Sequence, residues 1–188
     1  MGEERKMQPA GPLMREHRLI ERVVGLVEEE LARLREERRA DRAFALKVVD
    51  FFRVYADWCH HGKEEDILFS ALKSKPLSEE HRSMREELLG DHVRGRQLVS
   101  TLEKQASGSE EDQTGAIETT CRELVKLYRD HIHKEDDLFF LPCMEYFSRE
   151  EKDQMILKFW EFDRSMIHRQ YQITVSGLEK ERRAYAGE

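Results

Sequence analysis

Residues 59–69 read CHHGKEEDILF and residues 131–141 read HIHKEDDLFFL. Each stretch holds a histidine four positions before a glutamate, His60 with Glu64 and His131 with Glu135, and each ends in bulky apolar residues. On a helix, residues four apart share a face, so each pair reaches toward one point. What the two segments hold between them decides how the chain is built.

Working outward, Pro12 opens a periodic segment that runs to about Arg39, and Asp41 can cap a second that continues to Lys73. The break KSKPLSEE puts Pro76 in a turn and Ser78 at the start of a third helix. The longest loop candidate is ASGSEEDQTG, residues 106–115; Ser109 and Asp112 have capping-box spacing, so a fourth helix can begin inside it. Pro142 bends or ends that helix, and Ser148 with Glu151 opens a fifth extending to about Arg183. Nothing reads as a strand. The pattern predicts an all-α chain with a four-helix core and one appended helix.

The histidines fall on the buried stripes of those helices. Leu13, His17, Ile20, Val24, Val27, Leu31 and Leu34 alternate steps of three and four, the spacing of one inward face. The same spacing runs through Val49, Phe52, Ala56, His60, Glu64, Ile67 and Ala71, and through Met84, Leu88, His92, Gly95, Val99, Leu102 and Ala106. Ile117, Cys121, Leu124, Tyr128, His131, Glu135 and Leu138 complete the set. Each helix therefore aims a histidine inward, and the second and fourth each add a glutamate.

An ionised carboxylate buried without a partner costs several kcal/mol, against a total domain stability of only about 5–15 kcal/mol. Two such acids require positive charge between them. Lysine or arginine would leave the imidazoles unexplained, whereas iron, manganese or zinc would use both donor types. If both glutamates and a solvent-derived oxygen bridge two metals, each metal has three shared ligands and two histidines. A metal that prefers six then has one position for a diatomic molecule or peroxide.

With EHRLIE at 16–21, CHHGKEEDILF at 59–69, DHVRGR at 91–96 and HIHKEDDLFF at 131–140 in hand, the chain resembles the hemerythrin-like, or HHE, cation-binding family over roughly residues 13–147. The resemblance implies an up-down four-helix bundle around a non-haem di-iron site, oxo- or hydroxo-bridged, with His17, His60, Glu64, His92, His131 and Glu135 as ligands. It divides the chain into a flexible segment 1–12, the bundle 13–147 and a C-terminal helix 148–188. That helix, with Trp160, Ile167 and Tyr171 on one face, covers the bundle or makes a homodimer contact. Oxygen-carrying relatives place another histidine four residues after the one on the third helix; here that position is Arg96. The implied function is binding of oxygen or nitric oxide for sensing, storage or defence against oxidative and nitrosative stress. The competing readings are a metal-dependent oxidase or peroxidase and a metal-free helical interaction module. Ferritin-like oxidases use Glu-x-x-His pairs, and no histidine here has a glutamate three residues before it.

Other features set limits. A net charge of −7 argues against nucleic acid and anionic membranes as main partners. No apolar run approaches the roughly 18 residues of a membrane span, and MGEERKMQPAG lacks a signal-peptide core, so a cytoplasmic protein is expected. Cys59, Cys121 and Cys143 have no metal-site or disulfide pattern. Aligning KEE with KED selects the His60 and Glu64 frame and leaves His61 as a supporting or pocket residue. Arg96 either points at the open ligand position or runs out to the surface. Tyr128 is a core residue or a hydrogen-bond donor near the metals. Glu21 should pair with a neighbouring arginine, His133 with Asp137 should lie on a solvated face, His81 should pack at a helix end, and His168 should be exposed.

Overall fold

The computed structural model describes residues 8–108 and 113–166, and among these the chain forms five helices and no strand. Helix α1 is Ala10–Glu37, and α3 is Glu79–Ser107. Helix α2 runs through Arg42–Phe51, Phe52–His61, Glu64–Phe69 and Ser70–Leu72. Helix α4 runs through Thr114–His133, Lys134–Phe139 and Phe140–Cys143, and α5 covers 149–166. Each of the first four packs against the next, and α4 closes on α1. Short connections between neighbours make this the all-helical, up-down bundle that the sequence led us to expect. No helix among the described residues is long and apolar enough to cross a membrane.

The expected caps form. Asp41 accepts from the Phe44 amide at 2.9 Å and Ser78 from the His81 amide at 3.1 Å. Ser148 and Glu151 exchange a reciprocal pair, 2.8 and 3.3 Å, that opens α5. Helix α1 starts at Ala10, ahead of the expected Pro12, because proline is tolerated in a first turn where its missing N–H has no partner to lose. Ser109, Asp112, Ile167, His168 and Tyr171, and the stretch to Arg183, lie outside the described residues.

Helices α1 and α3 are regular, and their buried residues are the predicted stripes almost without change. Helices α2 and α4 differ. The segments Phe52–His61, Glu64–Phe69 and Lys134–Phe139 are π-helical, with an i→i+5 hydrogen-bond pattern that adds close to one residue to the turn. Beyond each glutamate the inward face therefore slips by one position. Leu68 and Leu72 are buried where Ile67 and Ala71 were expected, and Phe139 is buried while Leu138 is 46% exposed.

The core has two apolar blocks. One contains Ile20, Val24, Phe52, Ala56, Leu102, Leu124 and Tyr128, and the other Leu13, Leu68, Phe69, Leu88, Phe139, Phe140 and Phe159. The histidine and glutamate positions of the stripes fall between them, so apolar walls shield that layer from water at both ends. Helix α5 packs onto the second block through Met155 and Phe159. Trp160 is 49% exposed and so does not cover the bundle: the buried face is Met155, Ile156, Phe159 and Met166, and Trp160 lies one residue, about 100°, beyond Phe159.

Candidate metal centre

His17, His60, Glu64, His92, His131 and Glu135, the six sequence candidates, are all buried and converge between the four helices. His61 joins them. Two groups of donor atoms, each mutually within 4.8 Å, emerge: His17, His60, Glu64 and Glu135 in one, and His61, Glu64, His92 and His131 in the other. Glu64 belongs to both. His17 Nε2 and His131 Nε2, one from each group, both lie 3.1 Å from Glu135 Oε2, so Glu135 also touches both, and His60 Nε2 lies 3.1 Å from Glu64 Oε1.

The π-helical turn explains why sequence reasoning missed His61. At 100° per residue, His60 on the seam would turn His61 toward a neighbouring helix; the wider turn of Phe52–His61 brings both inward. The His61 ring stacks on His92, with centroids 3.9 Å apart and planes 10° from parallel. The HH doublet was the available signal.

Around the donors runs a ring of carboxylates, also unanticipated. Glu16 of α1 lies 2.9 Å from His60 Nδ1 of α2, and Glu65 of α2 lies 2.7 Å from His92 Nδ1 of α3. Asp136 of α4 lies 2.7 Å from His17 Nδ1 of α1, and Asp91 of α3 approaches His131 Nδ1 of α4 at a looser 3.5 Å. Every helix thus supplies an acid to the histidine of the next, and the ring closes. Each acid sits beside a candidate ligand in sequence, in the pairs Glu16–His17, Glu64–Glu65, Asp91–His92 and Glu135–Asp136. A carboxylate accepting the Nδ1 proton fixes the tautomer, leaving the Nε2 lone pair free and more basic.

Cations back the acids. Lys63, buried on α2, donates to Glu16 and, at 2.6 Å, to Asp163 of α5. Lys134 donates to Asp91 at 2.6 Å, and Arg18 donates to Asp136. Arg96 joins Glu65 at 2.5 Å to Asp57 at 2.7 Å, its side chain 40% exposed. It runs outward as a clamp on the carboxylate ring. Glu21 pairs with Arg18 at 2.9 Å, His133 and Asp137 form an exposed pair, and His81 meets the Tyr146 hydroxyl at 2.9 Å near the start of α3. Tyr128 is buried against Phe52, with ring centroids 4.4 Å apart.

Burial works against protonating His17, but Asp136, Glu135 and Glu64 outweigh it and raise its pKa to about 9. For His131, burial is likewise overcome, by Glu135 and Asp91, to about 10. Burial opposes the ionised form of Glu64, yet His60 and His92 hold it well below the usual carboxylate range. His61 goes the other way: burial and the neighbouring His92 push it well below 6.5.

The donor set fits a metal. His17 Nε2, His60 Nε2, His92 Nε2, His131 Nε2, both nitrogens of His61 and all four oxygens of Glu64 and Glu135 are buried without a hydrogen-bond partner. Buried polar groups are rarely left so, and unbonded imidazole nitrogens with carboxylate oxygens are the ligand atoms of first-row transition ions. Compared with known protein families, residues 9–141 match the Hemerythrin HHE cation binding domain. The chain belongs to that family. Comparison with curated proteins and with solved structures finds no match. Membership of the Hemerythrin HHE cation-binding family and the two His/Glu groups are together compatible with a metal-binding helical protein.

Proposed function

We propose that the protein is a non-haem di-iron protein that binds oxygen or nitric oxide for sensing, storage or defence against oxidative or nitrosative stress. The observation that carries this reading is the pair of donor groups meeting at Glu64, all of whose inward atoms lack hydrogen bonds. One ion would be held by His17, His60, Glu64 and Glu135, and the other by His61, Glu64, His92 and His131, adding His61 to the six residues expected from sequence. When bound, an iron pair supplies open Lewis-acid positions and electrons that can be shared with a diatomic ligand.

The chain's own residues supply the rest. Glu16, Glu65, Asp91 and Asp136 orient the imidazoles, their carboxylates facing the Nδ1–H groups as hydrogen-bond acceptors. Lys63, Lys134, Arg18 and Arg96 neutralise those acids, so the centre is not swamped by negative charge. Phe140, stacked on His17 at 5.6 Å, and Phe69, stacked on His92 at 5.9 Å, exclude water from one side. Cells need not export such a protein, and a cytoplasmic setting is part of the proposal.

Metal analysis of protein loaded anaerobically with ferrous iron tests the reading, followed by exposure to oxygen and nitric oxide with absorption spectroscopy. About two irons per chain and a gas-dependent spectrum are expected. Protein that takes up no iron and is fully stable without it would favour a metal-free interaction module.

A further inference from the structure

Three of the four carboxylates around the histidines are backed by cations that reach the surface. Arg18 and Arg96 stand 57% and 40% exposed beside Asp136 and Glu65, and Lys134, beside Asp91, also reaches the exposed Glu87. Glu16 is backed from inside. Lys63 is only 1% exposed, and its Nζ donates both to Glu16 of α1 and, at 2.6 Å, to Asp163 of α5. Glu16 in turn faces His60 Nδ1 at 2.9 Å, so a line of contacts runs from the fifth helix to a candidate ligand. The seat of α5 lies on the same stretch of α2 as three of those ligands. Cys59 Sγ donates to Asp163 Oδ1 at 3.6 Å, and Gly62 has no side chain where Phe162 lies, a Cβ there falling 2.6 Å from Phe162 Cζ. Interleaved with Cys59, Gly62 and Lys63 are His60, His61 and Glu64. Residues 59–64 turn one face to the metal donors and another to α5, so a shift of either face moves both.

We infer that α5 reports occupancy of the His17 and His60 group, with Asp163 and Lys63 as the positioning residues that couple docking of the helix to the metal. The inference rests on the metal-binding reading above. Glu16 is the joint: its Oε1 accepts from Lys63 while its Oε2 faces His60. With α5 docked, Lys63 is kept from water, its ammonium needs both carboxylates, and its hold on Glu16 is little screened. With α5 undocked, Lys63 is hydrated, its pair with Glu16 falls to the small worth of an exposed ion pair, and Glu16 loses the contact that aims it at His60. In the other direction, His60 coordinated through Nε2 becomes a stronger Nδ1–H donor, which fixes Glu16 and, through it, the ammonium that Asp163 meets. Metal and docking therefore favour each other. Linkage requires that each changes the other by the same factor.

Amide hydrogen exchange of the full, unsubstituted chain, metal-free and after anaerobic loading with ferrous iron, tests the coupling. Amides of 149–166 should exchange about fivefold or more slowly with iron bound, the low end of couplings between sites. In Asp163→Asn that slowing should be lost from α5 while α1 and α4 keep theirs, and competition with a chelator should show iron held less tightly by the same factor. In a Glu16→Gln background, Asp163→Asn should cost no further affinity, because its route to His60 is already cut. A helix that merely props up the bundle would cost the same in both backgrounds. Exchange of α5 that is equal with and without iron overturns the proposal, and this comparison needs no substitution, so it stands if a variant fails to fold. Asp163→Asn that keeps the slowing, or an affinity loss undiminished by Glu16→Gln, also overturns it while leaving the metal-binding reading intact. Protein that takes up no iron removes that reading and this inference with it.

Discussion

Helices α1 and α3 each give the centre one histidine from a regular α-helix, whereas α2 and α4 each give a His-x-x-x-Glu pair from a helix that widens into π-helical turns. A lone donor needs only the ordinary seam. Two or three donors from one helix must reach a common point, and the extra residue in the turn swings them inward. The widening then carries through to packing: the apolar residues after Glu64 and Glu135 take over the seam one position late, as Leu68 and Phe139. The irregular stretches of the fold lie where its donors are densest.

The largest effect expected from this contrast concerns the shared donor. Glu64→Ala removes an oxygen donor from both groups and should leave almost no bound metal, and Glu135→Ala, which takes the carboxylate from beside His17 and from beside His131, should also lower the metal held in both groups. Metal analysis after gel filtration reads both. Two ions retained by either variant would contradict this.

Deleting one exposed residue probes the turns themselves. Without Asp66, Leu68 stands three residues after Glu64 and a regular α-helix buries it, so the variant should still unfold cooperatively. Without Glu86, α3 has no widened turn to absorb the change, and every later seam residue rotates by about 100°. That protein should lose roughly 3 kcal/mol or more in denaturant unfolding.

The carboxylate ring comes next. Asp136→Asn keeps the shape but weakens the hold on His17 Nδ1, and should cost about 10–100-fold in metal affinity by competition with a chelator. Asp91→Asn, whose contact with His131 is longer, should cost less. The fifth helix gives a smaller contrast. A Cβ at Gly62 would lie 2.6 Å from Phe162 Cζ, while one at Gly95 would sit in ordinary contact, 3.5 Å from the Tyr128 hydroxyl. Gly62→Ala should therefore cost about 1–3 kcal/mol, and Gly95→Ala should be neutral or slightly stabilising.

The smallest effect is on the metal-free protein. His17 is raised from 6.5 to about 9, so the stability it contributes is fully present below pH 6.5 and is lost as pH rises through about 9. Thermal unfolding in chelator should show this decline, and bound metal, which replaces the proton, should remove it.

Much of this was legible in the sequence, and the limits were physical. Residues such as Leu13, His17 and Val24 follow the α-helical period through α1, and Leu88, His92 and Val99 do so through α3, so those seams could be read directly. In α2 and α4 the same period was right up to the glutamates and wrong beyond them, because no local residue marks the change of hydrogen-bond pattern that brings in His61 and turns out Leu138. Glu16, Glu65, Asp91 and Asp136 were visible as neighbours of the ligands. Their pairing around the ring depends on which helices adjoin, and that is a property of the packed bundle. Of the two roles expected for the Trp160 face, covering the bundle falls instead to Met155 and Phe159, which join the apolar block of Phe69 and Phe140.

Anomalous diffraction from iron-loaded crystals tests the central claim most directly. The account predicts two peaks, one among His17, His60, Glu64 and Glu135 and one among His61, Glu64, His92 and His131, with Glu64 reaching both. A single peak, or none with the two glutamates bonded to water or to a side-chain cation, would contradict it.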